Sequence, residues 1–131
     1  MHSRPFILAL LYLVTGCAPS EQAKLTGTWS LDRVRSDGVA IHTAITIASD
    51  GKYSARTTST VTNSSAAATV TLEGTFEIKD GYLMDTVTRH DVPTFQVPTT
   101  FRARIIRFDE QELLAFDEGN SVEVLFRKEQ K

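Results

Sequence analysis

The sequence is short of several features that would place a protein in a familiar class. Its 131 residues include one cysteine, so no disulfide can form within the chain and the fold must depend on its hydrophobic core. No continuous apolar run reaches the roughly 20 residues that a membrane-spanning helix requires. The net charge of −2 gives no basic surface for nucleic acid or for anionic lipid headgroups. A chain of this length is long enough for one domain with one core.

The motifs of common hydrolases and metalloenzymes are also absent from the sequence. It contains no Gly-X-Ser-X-Gly and no His-Glu-X-X-His. His42, His90 and Asp91 are residue types that bind metals or orient a hydroxyl nucleophile, but they lack the spacing of a known site. We therefore expect a non-enzymatic protein with no catalytic residue, no metal and no cofactor, and with no nucleic-acid partner.

The N-terminal segment has the three-part layout of an export signal. Arg4 is followed by about ten apolar residues, and small residues then lead to the only cysteine, Cys17. This pattern predicts a signal peptide at residues 1–16; a buried first strand with a chance cysteine is the alternative. The last four residues of the segment, Val14-Thr15-Gly16-Cys17, resemble the lipobox of bacterial lipoproteins.

This resemblance implies that Cys17 is lipidated and becomes the first residue of the mature chain. It would carry a diacylglyceryl group and an amide-linked acyl chain, typically palmitate, and more than one acyl chain suffices for stable anchoring. Residues 17–24 are small and polar, and we expect them to form the lipidated tether. The resemblance further implies, from Ala18 in place of an aspartate, a position on the outer membrane, in the inner leaflet facing the periplasm.

The rest of the chain, residues 25–131, reads as strands and turns. Thr69 to Ile78 alternates apolar and polar residues with period two, which is typical of a half-buried strand. The adjacent pair Ile105-Ile106 breaks such an alternation and predicts a bulge. Turn residues separate eight predicted strands, at 27–35, 40–48, 52–62, 67–78, 82–90, 99–108, 112–117 and 121–128.

Eight strands joined by short links predict an all-β fold, an antiparallel up-and-down barrel. A β-sandwich is the alternative, but it needs long crossovers, and only the link at residues 91–98 could serve as one. The turns at 49–51, 79–81 and 109–111 would lie at one end of the barrel, which we name the base. The opposite end, with the 91–98 link, is named the mouth.

The start of the domain, Leu25-Thr26-Gly27-Thr28-Trp29, resembles the Gly-X-Trp opening of lipocalins and of small lipocalin-like bacterial lipoproteins. The Ser49–Tyr53 hairpin and the pair Phe126-Arg127 are similar to features of the latter. The resemblance implies a barrel floor in which Trp29 plugs the base and Arg127 stacks over it. The alternative for Arg127 is a solvated residue on the surface. The match to true lipocalins is poorer, because their first connection is a long lid whereas 36–38 is a tight turn.

Near the mouth, the residues predicted to face inward are small or hydroxylated, which would leave a cup. An eight-stranded barrel has room for packed side chains or for one small ligand. We predict that the ligand-lining residues are Thr57, Ser59, Val70, Phe95 and Phe101. The alternative is that Phe95, Phe101 and Phe116 fold inward and leave no cavity.

Two functions follow from these expectations. The first is a lipid-anchored envelope protein that binds a small apolar or amphipathic ligand in its barrel without catalysis. The alternative is a periplasmic protein-interaction module, either an inhibitor or an accessory subunit of an envelope complex. Arg102 and Arg104, with Arg89 and Arg107 nearby, form a basic stripe that is either a solvated face or a docking patch for an acidic partner.

Overall fold

The computed structural model describes residues 21–61 and 67–130. A helical turn, α1 (Glu21–Lys24), precedes eight strands. The strands are β1 (Gly27–Val34), β2 (Val39–Ile47), β3 (Lys52–Val61), β4 (Ala67–Lys79), β5 (Tyr82–His90), β6 (Thr99–Phe108), β7 (Glu112–Asp117) and β8 (Val122–Lys128). The predicted signal peptide at 1–16 and the predicted lipidation site Cys17 lie outside the described residues.

The strands form a closed antiparallel barrel in which each strand pairs with the next along the chain and β8 returns to β1. The predicted eight-stranded up-and-down barrel is therefore confirmed, and the sandwich alternative is wrong. The doubled isoleucines also act as predicted, because the register between β6 and β7 shifts between Ile105 and Arg107.

The closing seam between β1 and β8 is short. Its ladder consists of the pairs Trp29–Lys128 and Ser30–Arg127, both near the base, whereas β1 and β2 pair along the whole of β1. Toward the mouth, the inward side chains of Leu31 and Arg33 on β1 and of Val124 on β8 therefore border an opening. Hydrogen bonds between β1 and β8 therefore close the barrel near its base, and the two strands separate toward the mouth.

The base of the barrel is filled with apolar side chains. Trp29, Leu113 and Ala115 are each at most 2% exposed, and Leu25, Ile45, Ile47 and Phe76 pack in the same cluster. The void left among them measures about 10 Å³, which is room for about one water. The lower half of the barrel is thus a packed core that excludes a ligand.

Trp29 lies in this core and Lys128, not Arg127, covers it. The Trp29 Nε1 donates to the Leu25 carbonyl at 2.7 Å, and the Lys128 Nζ lies 5.4 Å from the indole ring centre. Arg127 points outward with 69% of its side chain exposed, 3.5 Å from the Glu112 carboxylate. The prediction for Arg127 is wrong because Trp29 pairs with Lys128, and neighbouring residues of a strand face opposite sides of the sheet.

Gly27 of the Gly-X-Trp motif is required by this arrangement. Its φ of +136° is a conformation that residues with a side chain rarely adopt. A Cβ at this position would also lie 2.6 Å from the Cε of Lys128. The glycine therefore leaves the space through which the lysine reaches the tryptophan.

The predicted tether differs from its expectation over its last four residues. Glu21–Lys24 forms α1, and the Gln22 side chain bridges the backbone of β4 by donating to the Phe76 carbonyl and accepting from the Ile78 N–H, both at 2.9 Å. These bonds hold α1 against the base. The chain that precedes Glu21 therefore joins the domain at the base, opposite the mouth.

Candidate functional site: a cup at the mouth of the barrel

The upper half of the barrel contains an open cup of about 370 Å³. Its walls are formed by residues of β1, β4, β5, β6 and β8, together with the end of β7 and the turn that follows it. The apolar wall residues are Leu31, Phe76, Leu83, Phe101, Ala103, Val124 and Phe126. The polar ones are Arg33, Asp85, Arg102, Asp117 and Asn120. A volume of this size lies within the range of small-molecule sites, about 300–1,000 Å³.

Asp85 is a partly buried ionisable group in the wall of the barrel. It sits at the centre of β5, where its register partners are Phe76 on β4 and Phe101 on β6. Its neighbours on the same face of β5, Leu83 and Val87, are both buried. An ionisable side chain therefore occupies an inward position that is otherwise apolar.

Tyr53 holds this carboxyl group in place. The Tyr53 hydroxyl donates to the Asp85 Oδ1 at 2.6 Å across the barrel interior. Burial raises the pKa of Asp85 to about 6, and the hydrogen bond from Tyr53 only partly opposes that rise. Burial likewise raises the pKa of Tyr53, as do its hydrogen bond to Asp85 and the charge of that carboxylate. The pair thus has Tyr53 as a fixed donor and Asp85 as an acceptor whose charge at neutral pH is partly desolvated.

The Tyr53 ring is fixed in turn by its neighbours. It packs against Phe76 with ring centres 4.4 Å apart and lies opposite Gly74 in the β3–β4 ladder. The β4–β5 register shifts between Glu73 and Gly74, and a Cβ on Gly74 would lie 2.1 Å from the Thr86 carbonyl and 2.9 Å from the tyrosine ring. Gly74 is therefore the position at which the barrel wall makes room for Tyr53.

A second carboxylate, Asp117, borders the cup at its rim, and Arg33 lies near enough to influence its pKa. Asp117 accepts hydrogen bonds from the Asn120 side chain at 2.8 Å and from the backbone N–H groups of Gly119 and Asn120. The Asn120 hydrogen bonds are the main cause of a lowered pKa at Asp117, and the charge of Arg33 adds to it. Asp117 is thus already satisfied by its own turn, unlike Asp85.

Of the five residues predicted to line a ligand, Phe101 borders the cup and the other four do not. Thr57, Ser59 and Val70 face inward on β3 and β4, on the wall away from the cup, and the Thr57 hydroxyl bonds to that of Thr43 at 3.1 Å. Phe95, on the 91–98 link, stacks on His90 at 4.1 Å and lies 6.4 Å from Phe101. These placements correct the predicted lining, because the hollow side of the barrel is the β5–β8 side.

Sequence reasoning missed Asp85, although a signal for it was present. The alternation Leu83, Asp85, Val87 places an acidic residue on the apolar face of a predicted strand. The alternative in which phenylalanines fill the interior is wrong, because Phe116 faces outward, with the Arg104 guanidinium 5.6 Å from its ring centre. Arg102 lies similarly over Tyr82 at 4.5 Å.

The two histidines in the described part of the chain, His42 and His90, lie away from the cup floor. His42 bonds to Asp32 at 2.6 Å on the exposed outer face of β1 and β2. His90 accepts from the Val92 N–H at 3.0 Å and stacks on Phe95. Within residues 21–61 and 67–130, no three His, Cys, Asp or Glu side chains are grouped closely enough to hold a metal ion.

Exposed apolar side chains concentrate around the mouth. Val34 is 75% exposed at the end of β1, and Val92, Val97, Phe101 and Val122 are also exposed at this end. Ile106, on the bulge of β6, is the remaining large apolar residue exposed in the described part of the chain. The mouth therefore exposes apolar side chains to solvent in addition to the charged residues at the rim of the cup.

Comparison of the sequence with models of known protein families and with curated proteins finds no match. None of the helices that the structure describes has the length and apolar character needed to cross a bilayer.

Proposed function

We propose that this protein binds a small amphipathic molecule in the cup without chemically changing it, and that Cys17 anchors it to the cell envelope. The observation that carries the binding proposal is the cup itself, an open space of about 370 Å³ above a packed base. Seven of its twelve wall residues are apolar, and one desolvated carboxyl group lies among them. Apolar walls with a few fixed polar groups are typical of small-molecule sites.

Filling the cup tests this function. Ala103 faces the cup on β6, and replacing it with phenylalanine would place a ring in the space. Ala44 faces outward on β2, since it alternates with buried Ile45, so Ala44→Phe adds the same ring without entering the barrel. Native mass spectrometry of the full-length protein purified from cells should show a bound small molecule in the unmodified protein and in Ala44→Phe, and none in Ala103→Phe. Equal occupancy in the two variants would contradict the proposal.

The anchoring part of the proposal is supported by the lipobox resemblance and by the place where the chain joins the barrel. Because α1 docks at the base, a lipid on Cys17 would hold the mouth away from the outer membrane and toward the periplasm. Intact mass spectrometry should find a chain that begins at Cys17 and carries acyl groups, and Cys17→Ser should abolish this processing. A bare thiol within an uncleaved leader would refute the anchor.

The alternative function is a protein-interaction module, and the exposed apolar residues at the mouth favour it. An inhibitor or an accessory subunit would use these residues to contact a partner in the envelope. A photo-crosslinking residue at Val34, which is 75% exposed, should then form a defined adduct in living cells, while the same residue at Asp50 in the base should not. The absence of an adduct at Val34 would count against this alternative.

A further inference from the structure

We propose that the cup binds a protonated amine with an apolar body, and that the Asp85 carboxylate recognises its ammonium group. This inference rests on the proposed function, since it names the class of ligand for the same cup.

The Asp85 carboxylate has no cationic partner in the described part of the chain. Two arginines border the cup, but the Arg102 guanidinium lies over the Tyr82 ring and Arg33 acts on Asp117. Neither contributes to the pKa of Asp85, which is governed by burial and by the hydrogen bond from Tyr53. A desolvated charge without a counter-ion is unfavourable, and a cationic ligand would compensate it.

The hydrogen bond from Tyr53 occupies one of the two carboxylate oxygens and leaves the other available. Tyr53 donates to Oδ1, and among residues 21–61 and 67–130 no side chain or backbone group bonds to Oδ2. An ionised carboxylate can only accept hydrogen bonds, so the ligand group that meets it must be a donor. The packing of Tyr53 against Phe76 keeps this acceptor in one position before a ligand arrives.

The aromatic residues of the cup suit the same ligand. Phe76, Phe101 and Phe126 all border it, and Phe76 and Phe101 flank Asp85 in the sheet register. The faces of aromatic rings attract ammonium groups, and the attraction increases when water is excluded. The apolar wall residues would in turn bury the hydrocarbon part of the ligand. A fatty acid carboxylate, in contrast, would bring a like charge to Asp85.

Binding of three probes with the same chain length tests the inference: hexylamine, hexanol and hexanoate. Affinities are measured by calorimetry at pH 7.5 on the full-length protein in phosphatidylcholine nanodiscs, with empty nanodiscs as the blank. We expect hexylamine to bind about tenfold or more tightly than hexanol, because a charged hydrogen bond replaces a neutral one. Hexanoate should bind most weakly.

Two variants assign the effect to Asp85. Asp85→Asn keeps the shape and the acceptor for Tyr53 but removes the charge, so it should bring the affinity for hexylamine down to that for hexanol. Asp32→Asn removes a carboxylate from the outer face and should leave the preference for the amine unchanged. Thermal unfolding of each variant verifies that it is folded. An unchanged preference in folded Asp85→Asn would overturn the inference.

The pH dependence gives an independent readout. Protonation of Asp85 as the pH falls through about 6 should weaken hexylamine binding and leave hexanol binding unaffected. The charged or titratable groups around the cup are Tyr53 from β3, Arg33 from β1, Arg102 from β6 and Asp117 from β7, with His90 further along β5. Histidine is the residue type whose charge ordinarily changes between pH 5 and 8, so His90→Gln serves as the control and should retain the effect. Loss of the pH effect in His90→Gln would contradict the assignment to Asp85.

The outcomes separate this inference from the proposed function. If hexanol or hexanoate binds the unmodified protein as tightly as hexylamine does, the inference is overturned while the cup remains a binding site. If native mass spectrometry also finds no bound molecule and none of the three probes binds, the proposed function fails and the inference fails with it.

Discussion

The charge on Asp85 should lower the stability of the folded protein at neutral pH. Burial raises its pKa from 3.8 to about 6, which is a rise of roughly two units. Each unit corresponds to about 1.4 kcal/mol, so the ionised carboxylate would cost about 3 kcal/mol above pH 6. Because the pKa is higher in the folded state, this cost is absent below pH 4 and develops as the pH rises from 4 to 6. Asp85→Asn should remove the cost and retain an acceptor for the Tyr53 hydroxyl.

Urea unfolding of the unmodified protein and of Asp85→Asn, at pH 4 and at pH 7.5, measures this effect. The difference in unfolding free energy should shift in favour of the variant by about 2–3 kcal/mol between the two pH values. Taking the difference at each pH cancels the opposite contribution of Asp91, Asp109 and Asp117, whose lowered pKa values destabilise the protein in acid. Asp32→Asn, which removes an exposed carboxylate from the outer face, is the control for replacing an aspartate as such. A difference for Asp85→Asn that is the same at both pH values would refute the reasoning.

Three further predictions concern the packing of the base and of the bulge. Trp29→Ala should lower the unfolding free energy by about 3–5 kcal/mol in urea, because the side chain is 2% exposed; a loss below about 1 kcal/mol would show that it is not part of the core. Lys128→Ala should lower the unfolding free energy by about 0.5–2 kcal/mol, because the contact of the lysine with the indole ring is lost. Arg127→Ala should lower it by less, because the arginine is exposed, and the reverse order would restore the Arg127 prediction. Gly74→Ala should cost about 1–3 kcal/mol by overpacking against Tyr53 and the Thr86 carbonyl, as followed by thermal unfolding. Gly119→Ala, which meets only an ordinary contact at 3.4 Å, is the control for Gly74, and equal costs would argue against a tight fit at the bulge.

Asp85 connects stability with function in this barrel. A carboxyl group at the centre of β5, between Phe76 and Phe101, weakens the fold, and an apolar residue of similar size would pack there at no such cost. Perturbed carboxyl groups in a cleft are candidates for functional sites on physical grounds. The proposed amine would stabilise the complex by supplying the counter-ion that the protein lacks, so bound ligand should raise the melting temperature at neutral pH.

The barrel could be predicted because the signals that specify it are local. In β4 the alternation from Thr69 to Ile78 identifies the strand and its inward face without knowledge of its partners. The pair Ile105-Ile106 marks the β6 bulge in the same way. The bulge at Gly74 was not predicted, because Gly74 continues the apolar alternation of β4. The contact that requires a glycine there comes from the Tyr53 ring on the neighbouring strand β3.

For Arg127, the resemblance to lipocalin-like proteins and the period-two pattern of β8 led to different predictions of the direction in which the side chain points. Val122, Val124 and Phe126 alternate along β8, so period two already places Arg127 outward and Lys128 inward. The resemblance to lipocalin-like proteins suggested an arginine over the tryptophan, and the structure has a lysine one residue later. The parity of the strand was the better guide to this residue than the motif.

The sequence by itself determined the strands, their order, the packed base and the end at which the chain enters, because alternation and turn chemistry act between residues close in the chain. The tertiary structure alone decided which side of the mouth is hollow and which carboxyl group is partly buried among apolar side chains. Both depend on the side chains that opposite strands bring together, as when Tyr53 on β3 meets Asp85 on β5 at 2.6 Å. The same residues in an isolated strand would be solvated, and neither a cup nor a raised pKa would exist.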